Sequence, residues 1–164
     1  MVQQHRYLVA LGSNQPHHRI GDPRGVLRSA LDMIAATGCS VEAVSPFMRC
    51  RPIGPSQRDF VNAAAIVASL LTPEAMLGKL KEIETFHGRE QRGAKWRARV
   101  LDLDLILWSG GEWLSRDLAI PHPEFRERDF VLAPAAAIAG DWRDPVTGLT
   151  IRQLLARLTR NRPR

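Results

Sequence analysis

Cysteine is scarce in this chain, and its scarcity makes the first exclusion. There are two, Cys39 and Cys50, in 164 residues, at a spacing that fits no metal knuckle or disulfide framework. Both are expected as reduced thiols in a cytoplasmic protein. Long apolar runs are missing too. Ala63 to Leu71 and Val131 to Ala139 are the longest, broken by Ser69 and Pro134, and neither could span a bilayer. The N-terminus lacks the basic, apolar and small-residue regions of a secretory signal. No repeat of fixed period and no low-complexity tract occurs. With 45% hydrophobic and 24% charged residues, disorder is excluded. One domain over residues 1–164 is expected, ending in a frayed basic tail at about 160–164.

What is present is positive charge. The net charge of +6 calls for a polyanionic partner, which nucleic acid, an anionic membrane or a nucleotide would each satisfy.

Periodicity then orders the elements. Tyr7 to Leu11 reads as a buried strand that turns at Gly12-Ser13-Asn14. Asp22-Pro23 supplies a cap and a first-turn proline for a helix carrying Val26, Leu27, Ala30, Leu31 and Ile34, closed by Gly38. Val41 to Met48 alternates weakly as a strand, and Arg51-Pro52-Ile53-Gly54-Pro55 is a rigid loop. Val61 to Leu70 reads as a third strand. Thr72-Pro73 opens a second helix with Met76, Leu77, Leu80 and Ile83 on one face. Val100 to Trp108 is the fourth strand. A proline-punctuated, loop-rich region follows, and Ile151, Leu154, Leu155 and Leu158 mark a last helix. Strand, helix, strand, strand, helix, strand is the split βαβ order of an α+β, ferredoxin-like sandwich with an antiparallel sheet and an added C-terminal helix.

The chemistry concentrates in Leu101-Asp102-Leu103-Asp104-Leu105. Strand alternation puts Asp102 and Asp104 on one face with Cα atoms about 7 Å apart, and Leu101, Leu103, Leu105 and Leu107 on the other. Two neighbouring carboxylates repel unless a cation sits between them. Hard oxygen donors suit Mg²⁺, which favours one or two carboxylates plus substrate phosphates; the alternative is a pair of salt bridges to Arg97 and Arg99. The segment from His87 to Arg99 places five Arg and Lys residues within thirteen and runs directly into these aspartates. It is expected to be a mobile loop whose cations can stabilise phosphate oxygens. Gly88 and Gly93 imitate a P-loop spacing, but Ala94-Lys95-Trp96 follows where Lys then Ser or Thr is required. Asn62 can offer a donor and an acceptor to a flat heterocycle, with Phe60 beside it. His122, between Pro121 and Pro123, either contacts a phosphate or shapes a turn. Arg128 and Phe130, two apart, would share a face in extended geometry. His17 and His18 read as a surface pair.

Taken in order, Gly12-Ser13-Asn14, Pro52-Ile53-Gly54-Pro55, Asp59-Phe60-Val61-Asn62-Ala63, Gly88-Arg89, Arg99-Val100-Leu101-Asp102-Leu103-Asp104 and Ile120-Pro121-His122-Pro123 resemble the 6-hydroxymethyl-7,8-dihydropterin pyrophosphokinases of folate biosynthesis. The resemblance runs from Tyr7 to about Leu158. It implies transfer of pyrophosphate from ATP to the pterin hydroxymethyl group, with AMP as the other product. It implies two Mg²⁺ ions on Asp102 and Asp104. The pterin would meet Asn62, Phe60, Phe130, Cys50 and Ile53. Glu84, Arg89, Arg99, His122 and Arg128 would lie by the nucleotide, Arg92 would act from the catalytic loop, and Trp96 would close over the site.

Departures from the family pattern are Gln91 for a second loop arginine, Arg97-Ala98 for Gly-Pro, Asp117 beside Arg116 at an often basic position, and Cys50 for a small hydroxyl residue. The partners implied are small molecules, with no nucleic acid and no membrane, and a monomer is expected. The rivals are an RNA-binding sheet, which would need exposed aromatics on its central strands, and an inactive pterin-binding protein.

Overall fold

The structure, a computed structural model, describes residues 2–51, 59–88 and 100–160. The expectations for Ile53, Arg89, Arg92, Trp96 and Arg99, for the loop at 52–55 and for the tail beyond Arg160 fall outside the described residues. The strands are β1 (His5–Ser13), β2 (Ser40–Val44), β3 (Met48–Cys50), β4 (Phe60–Ser69), β5 (Asp102–Trp108), β6 (Trp113–Leu114) and β7 (Ala119–Ile120). The helices are α1 (Pro23–Ala36), α2 (Pro73–Phe86), α3 (Asp129–Ala139) and α4 (Ile151–Arg160), with a short 3₁₀ turn at Phe125–Glu127. The main sheet runs β2-β4-β1-β5, with β3 also paired to β4 and every pairing antiparallel. That is the ferredoxin-like order expected, with β6 and β7 as a separate hairpin.

The sequence explains the helix starts. The Asp22 carboxylate accepts from the Gly25 N–H at 2.9 Å, and Pro23 stands at the first helical position of α1. Gly38, at φ +85°, turns the chain after α1. Thr72 precedes Pro73 as expected, although its side chain makes no capping bond. His87 closes α2 with its ring buried, one nitrogen against the Ile83 carbonyl at 2.8 Å and the other against the Ser29 hydroxyl at 2.9 Å.

Several expectations need correction. The strand expected over Val41 to Met48 is two pieces. Pro46 has no N–H to donate, so pairing breaks, and the Ser45 hydroxyl accepts from the Ala64 N–H at 2.9 Å in place of a carbonyl. Gly12 and Ser13 belong to β1 rather than to a turn. Arg160 completes α4 instead of opening a frayed tail. The loop-rich region contains α3, with Pro134 inside it. Proline there removes one helical N–H, but Val131, Leu132, Ala135 and Ala139 are all buried, and that packing holds the helix.

The sheet separates two cores. On one side α1 and α2 pack Val26, Leu27, Ile34, Met76 and Leu80 against Tyr7, Val9, Leu11, Ala63, Val67, Leu103 and Leu105. On the other side α3 and α4 cover Leu8, Ala64, Ile66, Ile106 and Leu107. Leu107 is thus on the opposite face from Leu101, Leu103 and Leu105, contrary to simple alternation. Val9 pairs with Leu105 and Leu8 with Leu107, so Ile106 is an extra residue. Such a bulge puts two consecutive side chains on one face and reverses the parity beyond it, sending Trp108 to the α1/α2 side. Among the described residues no helix is long and apolar enough to cross a membrane.

Candidate active site

The strand register assembles the site. Gly12 pairs with Asn62 on one side and Asp102 on the other, and Asn62 pairs in turn with Met48. Directly opposed residues share a face, so Met48, Asn62, Gly12 and Asp102 form one row across four strands. The next row holds Ala64, Ala10 and Asp104. Cys50 opposes Phe60 on the other flank. Two strand spacings, about 9–10 Å, separate the Asn62 and Asp102 backbones. This is the end of the sheet where β1 finishes and β4 and β5 begin, on the α3/α4 face beyond the apolar cluster.

Asn62 is 6% exposed, and its Nδ2 has no hydrogen-bond partner among the described residues. A buried amide N–H₂ without a partner costs stability, so this group is poised for something the described residues do not supply. Asp102 and Asp104 are half-buried on the same strand face, as alternation requires. Across the described residues no group of three or more His, Cys, Asp and Glu could hold a metal, so the aspartate pair brings two carboxylates and no protein cage. Two hard carboxylates with room for water and phosphate are what Mg²⁺ prefers, and the donor set fits that ion.

The chain from β7 to α3 closes one side. The His122 N–H donates to the Ile106 carbonyl at 3.0 Å, and its Nδ1 accepts from the Glu124 N–H at 3.1 Å. Burial lowers the His122 pKa, opposed by the Asp104 charge, helped by Arg128 and opposed again by Glu124. His122 therefore senses the second aspartate. Arg128 pairs with Glu124, and its guanidinium lies 5.7 Å from the Phe130 ring centre. These two do meet, but not through extended geometry: α3 begins at Asp129 and Arg128 is its cap. Phe130 packs beside the α3/α4 cluster, on the Phe60 and Asn62 face.

This segment is tied down by a pair that sequence reasoning missed. Asp144, with a fully buried side chain, accepts from Arg126 at 2.5 and 2.8 Å, from Thr147 at 2.7 Å and from the Val146 N–H at 3.0 Å. Burial alone would raise the Asp144 pKa, but these hydrogen bonds and the guanidinium charge hold it at about 2. Nothing in the sequence around Asp144 announces a partner eighteen residues away.

Other expected residues are placed differently. Glu84 is buried in the last turn of α2. It reaches the same end of the sheet as Asp102, but on the α1/α2 side. A cavity of about 440 Å³ also opens on that side, lined by Asn14, Asp22, Arg24, Arg49, Asp59 and Val61, and it shares none of its lining with the Asn62–Asp102 row. Arg49 and Asp59 pair at 3.0 Å within it. His17 and His18 stack with ring centres 4.6 Å apart. Both cysteines are free thiols.

The chain is similar to known proteins both in sequence and in fold. The sequence profile of 7,8-dihydro-6-hydroxymethylpterin-pyrophosphokinase matches residues 8–140. The 2-amino-4-hydroxy-6-hydroxymethyldihydropteridine pyrophosphokinase of Synechocystis is 40% identical, over 93% of this chain and 76% of that protein. The protein of the same name from Methylorubrum extorquens is 39% identical, over 93% of each. In fold, the chain resembles a crystal structure of Plasmodium falciparum HPPK-DHPS with pteroate, at a TM-score of 0.72 and 11% identity. It superposes over 94% of its own length and spans 42% of that longer chain.

Proposed function

This chain belongs to the 7,8-dihydro-6-hydroxymethylpterin-pyrophosphokinase family, and we propose that its two substrates meet along the row of Asn62, Gly12 and Asp102. The enzyme transfers pyrophosphate from ATP to the hydroxymethyl group of 6-hydroxymethyl-7,8-dihydropterin, in folate biosynthesis. The pterin hydroxyl oxygen forms a bond to the β-phosphorus, the bond from that phosphorus to the bridging oxygen breaks, and AMP departs with that oxygen. The hydroxyl proton is released.

One observation carries the placement. A buried Asn62 amide, its Nδ2 without a hydrogen-bond partner among the described residues, stands two strands from a carboxylate pair on the same face. That distance is of the order of a bicyclic ring with a one-carbon arm, so an edge read by Asn62 brings the hydroxymethyl group towards Asp102. An amide reads both a donor and an acceptor on such an edge. Phe130 and Phe60 supply aromatic surface for the ring, with Cys50 on the flank and Ile53 from the adjoining segment. Asp102 and Asp104 hold two Mg²⁺ ions, which when bound neutralise and orient the triphosphate. His122 and Arg128 sit on the nucleotide side, and Glu84 supports that end from beneath. Arg89, Arg92 and Arg99 take the phosphate oxygens and Trp96 covers the site, on the strength of their positions in the sequence. The whole chain acts as one such domain, a cytoplasmic monomer.

An RNA-binding role would need the sheet face open, but α3 and α4 cover one end of it and its other, polar end carries carboxylates. The test is substrate-resolved. Wild type should form AMP in step with pterin diphosphate, and Asn62→Ala should weaken pterin binding while leaving ATP affinity within about twofold. An Asn62→Ala variant that loses ATP and keeps pterin would reverse the layout.

A further inference from the structure

Gly12 lies between the two halves of the proposed site, and its backbone gives no reason for glycine. It is an interior residue of β1, paired on both sides, and it is not among the described glycines with positive φ, which are Gly21, Gly38, Gly88, Gly111 and Gly148. Glycine in a strand interior is unfavourable relative to residues with a side chain. Its presence here therefore calls for a steric cause, and one is visible. A Cβ on Gly12 would lie 2.9 Å from the Asn62 Oδ1 and 3.9 Å from the Phe60 ring.

We infer that Gly12 is a specificity-determining residue, kept without a side chain so that the Asn62 amide can hold the orientation that reads the pterin edge. This rests on the placement of the pterin at Asn62. The contact at 2.9 Å is closer than real Cβ atoms approach an oxygen, so something must yield. The atom in the way is the end of a side chain, whereas the two strands are locked by a nine-residue register from His5↔Ser69 to Ser13↔Val61. The amide swings and the sheet stays. Hydrogen bonding falls steeply with misalignment, so a rotated amide loses the heterocycle without losing the fold. The consequence falls on the pterin and not on the nucleotide.

The experiment is a double-mutant cycle on the full chain with Gly12→Ala, Asn62→Ala and the pair. It measures pterin and ATP dissociation constants, kcat and urea midpoints. Gly12→Ala should weaken pterin binding about tenfold in the presence of Asn62, within the range of couplings between touching residues, and leave ATP affinity unchanged. In the Asn62→Ala background the same substitution should cost nothing further in pterin affinity or urea midpoint. Wild-type pterin affinity in Gly12→Ala, or an equal loss in both backgrounds, would overturn the inference. If Asn62→Ala alone binds pterin normally, the placement of the pterin fails and the specificity role with it. If Asn62→Ala weakens binding and Gly12→Ala does not, the Gly12 role alone fails. Should Gly12→Ala not fold by itself, Gly12→Ala within Asn62→Ser is compared with Asn62→Ser alone. Equal pterin affinity supports the clash, and a further loss overturns it.

Discussion

The two faces of the main sheet share one backbone and differ in how far their apolar surface extends. On the α1/α2 face the buried surface runs the whole length of the central strands, from Tyr7 to Leu11, Val61 to Val67 and Leu101 to Leu105. On the α3/α4 face it stops partway. Leu8, Ala64, Ile66, Ile106 and Leu107 fill one end, and Gly12, Asn62, Asp102 and Asp104 occupy the other. A closed face gains burial from every strand position. An open end loses that gain and accepts a buried amide, whose Nδ2 has no partner among the described residues, and two adjacent carboxylates in exchange. The polar end can be held rigid because the reverse side of the same residues is fully packed: Leu11, Val61, Ala63, Leu101 and Leu103 lie directly between or beside Gly12, Asn62, Asp102 and Asp104.

The sharpest way to break this contrast is to change one face and watch the property assigned to the other. Asp102→Asn and Asp104→Asn should each lower kcat by roughly 10³-fold, the scale of removing charge stabilisation from a transition state. Both variants should stay folded, since neither substitution removes apolar packing. Turnover within tenfold of wild type at saturating ATP and Mg²⁺ would remove the aspartates from the reaction. The converse substitution is Leu103→Ala, one residue away and opposite Leu11 across β1. It should cost about 3 kcal/mol of stability through the cavity it leaves, with kcat per folded molecule unchanged below its unfolding transition. If kcat instead fell with Leu103→Ala before any loss of structure, the packed face would be part of the chemistry and not merely its support.

A smaller effect separates the two helical layers by charge. The α3/α4 layer is joined to the 3₁₀ turn by Arg126 and Asp144, whose carboxyl sits at about 2 instead of its ordinary 3.8. A lowered folded pKa means that the unfolded chain binds the proton more tightly. The stabilisation is complete above about pH 4 and is lost as pH falls towards 2, amounting to about 2 kcal/mol. Wild type and Asp144→Asn should therefore differ in urea midpoint at pH 6 and converge near pH 2. A gap that stays constant through that window would mean that the ion pair contributes no pH-dependent stability.

How much of this was readable beforehand follows from the range of the forces involved. The aspartate pair and its leucine backing were legible because strand alternation is local, and the Asp22-Pro23 helix start because a cap acts within three residues. The Ile106 bulge was not, since it depends on how β5 registers against β1, and it moved Leu107 to the other face. The break at Ser45-Pro46 carried a local proline signal, yet the hydroxyl that satisfies Ala64 N–H is a contact across strands. Helix α3 was hidden by Pro134, whose local penalty is outweighed by tertiary burial. Asn62 was readable as a polar residue near Phe60, but its opposition to Gly12 and Asp102 exists only in the folded register. Arg126, before α3, and Asp144, after it, meet across that helix and carried no sequence signal.

The smallest expected effect tests whether the α1/α2 side is purely structural even at the edge nearest the site. Helix α1 has no acidic residue in its first turn, so the Asp22 carboxylate is the one charge there that both caps an N–H and complements the helix dipole. Asp22→Ala should cost about 1 kcal/mol, seen as a lower urea midpoint at unchanged slope. The residue also lines the 440 Å³ cavity on that side, at the same end of the sheet as Gly12 but beneath it. If the two faces are independent, kcat and both KM values will match wild type, because nothing that touches Asn62 or the aspartates has moved. If Asp22→Ala raises the pterin KM while leaving ATP unaffected, the end of β1 transmits strain from the α1 cap to Gly12. The packed face would then tune the open one instead of only supporting it.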